Sequence, residues 1–409
     1  MRKNFNIYFR LLAERHFLIL ILTILVGQMA SAFLLLSLVT SVFLKTGSDF
    51  GVSGVILSLS MPALFLMALA GLISDIFDRK KIILVTNIFI SVVVLGILLS
   101  IDKVFASISL SFLYFAGNSF FFPAVSAATA QLVSKNKLIY ANSIFFLAMA
   151  GGQVLGFFLA AVVQFFAGNL VLLYISESLL LVCIALPLLL PGLPPRKNDK
   201  GTLIITLREI WKFFIYIFSA KTIWFYFLVL ASAQGIIAFG ATIAPGFFDK
   251  EIGLSIVKSP LFLFPAVAVG VTAAALFAHR ASRRESLMVV LGWGIIGLGT
   301  TIVGVAVRMP FNFQILRAIS FVYFIISAFG IIFIMIAART ILQKRVSHHF
   351  QGTVFGANFV VSSFLASLAS PAAAGAVAFF DYSNVLIVGG IVFMIAALFV
   401  GLLLKRWKF

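Results

Sequence analysis

The chain has 409 residues, of which 63% are hydrophobic and only 10% charged, a composition far too apolar for a soluble domain. That excludes a soluble enzyme or soluble binding module and makes the chain an integral membrane protein. A formal charge of +18 would suit nucleic acid, but the basic residues are sorted along the chain by loop rather than gathered into one patch.

A helix needs roughly 20 apolar residues to cross about 30 Å of hydrocarbon. Twelve such stretches follow one another at 16–44, 53–73, 82–101, 104–130, 139–167, 169–190, 222–247, 258–278, 286–307, 317–338, 352–380 and 383–404. The expected fold class is therefore an all-α membrane protein with 12 transmembrane helices. The seams at Asp102-Lys103, Gly168-Asn169 and Asp381 read as tight turns. Basic residues precede the first stretch and Ala30, Ser31 and Ala32 follow its start, as in a secretory signal. The stretch nonetheless continues apolar through Leu44 and reads as a retained helix.

Assigning the loops alternately to the two faces places 24 of the 30 Lys and Arg on one side. These include Arg2, Lys3, Arg10 and Arg15 at the start, the run Arg79, Lys80 and Lys81, the central loop, and Lys405, Arg406 and Lys408 at the end. The other side holds Lys45, Lys103, Lys250, Lys258, Arg308 and Arg317. Cytoplasmic loops retain Lys and Arg, so both termini and the central loop are expected in the cytoplasm.

Between Pro191 and Lys221 the apolar pattern breaks. Residues 1–190 are read as an N-terminal six-helix bundle, 191–221 as a cytoplasmic linker and 222–409 as a C-terminal six-helix bundle. Within the linker Leu203, Leu207, Ile210, Trp211 and Phe214 fall near helical spacing, with Arg208, Glu209 and Lys212 between them. This fits an amphipathic helix on the inner leaflet, and equally a plain tether. The two blocks are weakly self-similar: LVSKNKLIYAN begins at Leu132 and RVSHHFQGTVFGAN at Arg345, each between the fourth and fifth stretches of its block. The helix that follows is rich in small residues, Gly151, Gly152 and Gly156 in one and Ala366, Ala369 and Gly375 in the other. Duplicated halves are a transporter architecture with a midplane site, although small residues also serve plain helix packing.

One acid stands out, while the others read as lying at membrane surfaces. Glu177 lies inside the apolar string LVLLYISESLLLVCIALPLLL, where a charge costs roughly 2.5 to 10 kcal/mol. Desolvation disfavours the charged form of a carboxylate, so Glu177 is a candidate for taking up and releasing a proton. A permanently protonated, hydrogen-bonding group and a carboxylate facing a watery vestibule are the two alternatives. Candidate cavity residues are the uncharged polar groups within the stretches: Gln28, Ser31, Asn118, Gln153, Gln164, Gln234 and Asn358, with Tyr226 and Tyr323 adding amphipathic walls. Buried amides in lipid also simply join helices. Such a lining suits an amphipathic or hydrophobic small molecule. The four histidines fall at stretch edges, Cys183 has no disulfide partner in the chain, and no metal, nucleotide or nucleophile motif occurs, so no cofactor, no metal site and no enzymatic activity are expected.

Starting at Gly71 the chain reads GLISDIFDRKKIILVTN. This resembles the cytoplasmic signature of the Major Facilitator Superfamily, G-x-L-a-D-r-x-G-r-k, with Gly71, Asp75, Arg79 and Lys80 in place, Leu72 and Ile73 exchanging the usual order, Asp78 standing where the second glycine usually is, and Lys81 extending the basic run. The resemblance implies two pseudo-symmetric six-helix bundles, a monomeric protein, and a gating loop in which Asp75 latches the cytoplasmic side. The corresponding loop of the second block, from Phe277, keeps basic residues but lacks the acid. From Asn118, NSFFFPAVSAATAQLVSKNKLIYANSIFF resembles a bacterial branch that includes macrolide-efflux and enterobactin-export proteins, through Pro123-Ala124, Leu132-Val133 and Ala141-Asn142-Ser143. The Arg that many proton-coupled exporters carry in helix four is missing between Val104 and Ala130. Together these imply a proton-coupled exporter of an amphipathic compound in a bacterial inner membrane. A lipid or lysophospholipid flippase and a transport-inactive receptor or scaffold are the alternatives.

Overall fold

In hydrocarbon a backbone N–H or C=O has no water to bond, so a spanning segment must close its own hydrogen bonds as a helix. The computed structural model describes residues 2–134, 137–194, 221–281, 285–346 and 351–406, and no strand occurs among them. A short helix α1 (Arg2–Ala13) leads into α2 (Arg15–Thr46), α3 (Asp49–Ile76), α4 (Arg79–Ser100), α5 (Val104–Leu132), α6 (Leu138–Ala167) and α7 (Asn169–Leu188). Then come α8 (Lys221–Gly246), a π-helical turn (Phe247–Glu251), α9 (Ser259–Ala281), α10 (Glu285–Arg308) and α11 (Phe313–Arg345). The last helical stretch breaks at Asp381, whose φ of 61° is non-helical, into α12 (351–380) and α13 (382–406).

Helices α2 to α13 answer one for one to the twelve apolar stretches, and the three tight seams fall where the sequence puts them. At Gly168 the turn needs φ 86°, which a glycine adopts without steric cost. The helix ends overrun the apolar limits, most clearly in α11, which continues to Arg345, because a helix does not stop where hydrocarbon does. Helix α1 lies outside the twelve apolar stretches. Its Leu11 is buried with Phe17, Leu20 and Ile24, and Glu14, which follows it, pairs with Lys137 at 2.9 Å. The linker expectation for 195–220 lies outside the described residues.

The chain divides into two compact units, Met1–Thr46 with Leu57–Gly201, and Gly47–Ile56 with Thr202–Phe409. In the first, α2 packs on α6 and α7, and α4 on α5 and α7. Gly152 and Gly156 let α6 approach α2: a Cβ at Gly152 would lie 2.6 Å from the Leu25 carbonyl oxygen, and one at Gly156 2.8 Å from Met29 Cα. At one end of these helices an amide knot joins three of them. Gln164 Nε2 donates to Thr40 Oγ1 at 2.8 Å and Asn169 Oδ1 at 3.0 Å, while Asn169 Nδ2 donates to Ser41 Oγ at 2.6 Å.

In the second unit α10 packs on α11, α9 on α11, and α8 and α10 on the α12–α13 stretch. Asn358 Nδ2 donates to the Phe227 carbonyl, fixing α12 on α8. Gly390 sits against α10 so closely that a Cβ would fall 2.2 Å from Thr301 Oγ1 and 2.6 Å from the Gly297 carbonyl oxygen. The first residues of α3 belong to this unit: Tyr382 donates its hydroxyl to Asp49, and Ser370 Oγ donates to Ser53 Oγ at 3.1 Å. Large apolar side chains such as Leu99, Phe105, Phe166 and Phe379 stay exposed, as suits a surface solvated by lipid tails.

Two substitutions test this packing by thermal unfolding in detergent. Gly390→Val is expected to destabilise the second unit by about 2 to 3 kcal/mol through overpacking, whereas Gly401→Ala, whose new Cβ meets its nearest neighbour at 3.9 Å, should change little. Gln164→Leu leaves Thr40 and Asn169 without their donor and should cost about 1 to 3 kcal/mol.

Candidate functional site

The first unit concentrates polar groups in its interior. Glu177, in the middle of α7, is only 9% exposed. Ser91 on α4 donates its hydroxyl to Glu177 Oε1, while Oε2 is buried without a hydrogen-bond partner among the described residues. No cation faces the carboxylate among the described residues. The neighbouring Ser176 donates to the Ala30 carbonyl at 2.9 Å and so fixes α7 against α2 at this level.

Tyr114, fully buried on α5, lies within electrostatic reach of Glu177. Its hydroxyl shares a 2.7 Å hydrogen bond with Ser31 on α2, and Asn118 one turn on donates to the Tyr114 carbonyl at 3.2 Å. Gln28 is on the same helix as Ser31 and three residues before it, with its Cβ against the Gly152 backbone of α6. Gln153, next to Gly152, is half-buried. Thus Tyr114 joins Ser31 of α2 to Asn118 of α5, and the acid acts on it electrostatically. Gln164 lies apart, occupied in the amide knot.

The second unit holds the rest. Tyr226 is 1% exposed in the core around Phe227, Met288 and Ile334, and its hydroxyl donates to Ser286 at 2.9 Å. Asn358 is occupied by the Phe227 carbonyl. Gln234 is exposed and Tyr323 half-buried, the latter accepting a long 3.5 Å bond from Thr300. Asn358 thus reaches the residue next to Tyr226, and no hydrogen bond among the described residues joins these four side chains to one another. A tyrosine in an apolar helix looks the same in sequence whether its hydroxyl meets a cavity or a neighbouring serine.

The signature loop is arranged around Asp78. Extended at φ −62°, ψ 121°, it caps α4 by accepting from the amides of Lys80 and Lys81, and it also accepts from the Leu193 amide at 3.1 and 3.2 Å. Arg79 is buried and its amide donates to the Leu193 carbonyl at 3.0 Å. Lys80 Nζ donates to the carbonyls of Leu188 and Leu190 at 3.0 and 2.5 Å, and Lys81 is exposed. A Cβ at Gly71 would meet nothing within 4 Å among the described residues, so no close contact there requires the glycine. Asp75 falls in the last turn of α3, and its side chain lies outside the described residues.

Sequence reasoning passes over Ser91 and Asn87. Both are small polar residues in the apolar run of α4, and their partners are 86 and 96 residues away. Asp49 reads in the sequence as a membrane-surface acid, yet it is 6% exposed beside Tyr382, a partner 333 residues distant.

The described helices resemble solved transporters at low identity. The nucleoside transporter NupG superposes with a TM-score of 0.72 at 13% identity, covering 94% of this chain and 98% of that one. The POT family transporter PepTSo gives 0.73 at 12% identity over 96% and 98%. A bacterial homologue of the human lysosomal transporter Spinster, in an inward-facing and unoccupied conformation, gives 0.68 at 15% identity over 96% and 97%. No curated protein sequence matches the chain. The sequence does match the Major Facilitator Superfamily across residues 17–371. With twelve helices long and apolar enough to cross a membrane among the described residues, once the last is divided at Asp381, and that match over most of its length, the chain belongs to the Major Facilitator Superfamily.

Proposed function

We propose that this multi-pass membrane transporter is a proton-coupled exporter of an amphipathic or hydrophobic small molecule, working by alternating access in a bacterial inner membrane with both termini cytoplasmic. The observation that carries the reading is Glu177: a carboxylate buried in a membrane helix, bonded by one hydroxyl, with no counter-ion facing it and one oxygen unpartnered among the described residues. Such a group is costly in its charged form unless something compensates. A proton compensates fully, and its release is made possible by the Ser91 hydroxyl, which can donate to the carboxylate. Tyr114, within electrostatic reach of the acid, is joined to Ser31 and Asn118 and supplies polar groups on α2 and α5. The 24-to-6 distribution of basic residues supports the orientation. Export and an amphipathic cargo rest on the resemblance of the region from Asn118 and on a candidate lining of amides, hydroxyls and aromatic rings.

The reading is tested with purified protein in liposomes on a solid-supported membrane, under an imposed pH gradient, challenged in turn with amphipathic cations, siderophores and lysolipids. At least one class should give a pH-driven current that disappears in Glu177→Gln. A Glu177→Gln protein that retains the full current would remove the acid from the coupling step, and a response to lysolipids alone would turn the reading to a flippase.

A further inference from the structure

Proline 187 sits in the last turn of α7. It has no N–H, so the carbonyl of Cys183, four residues earlier, loses its helical donor. Asn87 on α4, itself 2% exposed, supplies the missing donor: its Nδ2 lies 2.6 Å from that oxygen. Two helical turns toward the start of α4 the pattern repeats. Lys80, seven residues before Asn87, donates to the carbonyl of Leu190, seven residues after Cys183, and to that of Leu188. Asp78 then takes the Leu193 amide. In the other direction Ser91, one turn beyond Asn87, meets Glu177.

We propose that these groups form a polar ladder that sets the register of α7 along α4, with Asn87 as the positioning residue that keeps Glu177 opposite Ser91. The proposal rests on the reading of Glu177 as the proton carrier. Its physical basis is that the carbonyl bared by Pro187 lies where no water replaces a lost donor, so sliding α7 by one residue would unpair several groups together. The aspartate that replaces the signature's glycine extends the ladder to the chain leaving α7. Tyr114 on α5 is within electrostatic reach of both Glu177 and Cys183 of α7. Helix α2 presents the neutral Thr23, Gln28 and Ser31, and the cations of α4 are confined to Arg79, Lys80 and Lys81 at its start.

The test uses the full chain in liposomes and protons alone as the probe. Infrared difference spectra against Glu177→Gln assign the protonated-carboxyl stretch of Glu177, which is then titrated with pH. Asn87→Leu is expected to lower thermal stability and to displace the Glu177 band or its titration midpoint. Adding Pro187→Ala returns a helical donor to Cys183, so the double variant should regain stability while the band stays displaced. A double variant whose band coincides with that of the native protein would show that Asn87 only serves the bare carbonyl. Should Asn87→Leu not fold, Asp78→Ser carries the test. Serine keeps a cap for α4 but is too short to hold Leu193, so amide exchange across 188–194 should rise ~10-fold and the Glu177 band should move. A responsive native band that no variant moves overturns the ladder alone. A native spectrum with no pH-responsive Glu177 band overturns the proton assignment itself, and the ladder's role toward Glu177 with it.

Discussion

Every polar group inside this protein is governed by one constraint: between lipid tails there is no water to take over a hydrogen bond that the protein fails to make. The carbonyl bared by Pro187 shows the consequence. In a soluble helix it would turn to solvent; here it takes the amide of Asn87 from another helix, and the pair joins α7 to α4. The same pressure gathers Gln164, Asn169, Thr40 and Ser41 into a knot and sets Ser31 against Tyr114. Helix association in lipid gains nothing from burying apolar surface, so these bonds and the close approaches at Gly152, Gly156 and Gly390 do the joining.

Like Gln164 with its Oε1, Glu177 meets this constraint only in part among the described residues. Its first oxygen is bonded to Ser91, while its second is buried without a hydrogen-bond partner among the described residues. Under the proposed coupling role, a change of protonation at this acid would act upon the packing of α7 on α4, where Ser91 meets it. The signature loop is joined to the same packing, since Asp78 and Lys80 bind the chain that leaves α7.

Polar residues of similar appearance in sequence thus divide by partner. Gln164 and Asn358 are consumed by neighbouring helices, Tyr226 by Ser286 within a packed core, whereas Gln234 stays exposed. Residue type announces that a group must be paired in lipid. It does not say with what, because the partner lies on another helix dozens to hundreds of residues away.

The amino-acid sequence by itself determined the helices, since hydrophobic length against bilayer thickness is a local property: twelve apolar runs became twelve helices, broken at Gly168 and Asp381 as expected. It also singled out Glu177, because one acid in an apolar run is visible without any neighbour. The family signature was legible in Arg79 and Lys80, but the use of Asp78 as a cap and a fastening for Leu193 was not. Nor were Ser91, Asn87 and the burial of Asp49 by Tyr382. Those depend on which helix faces lie together, and a helix in hydrocarbon carries apolar residues all round, leaving no amphipathic stripe from which its facing neighbours can be read. Only the tertiary structure decided the pairings.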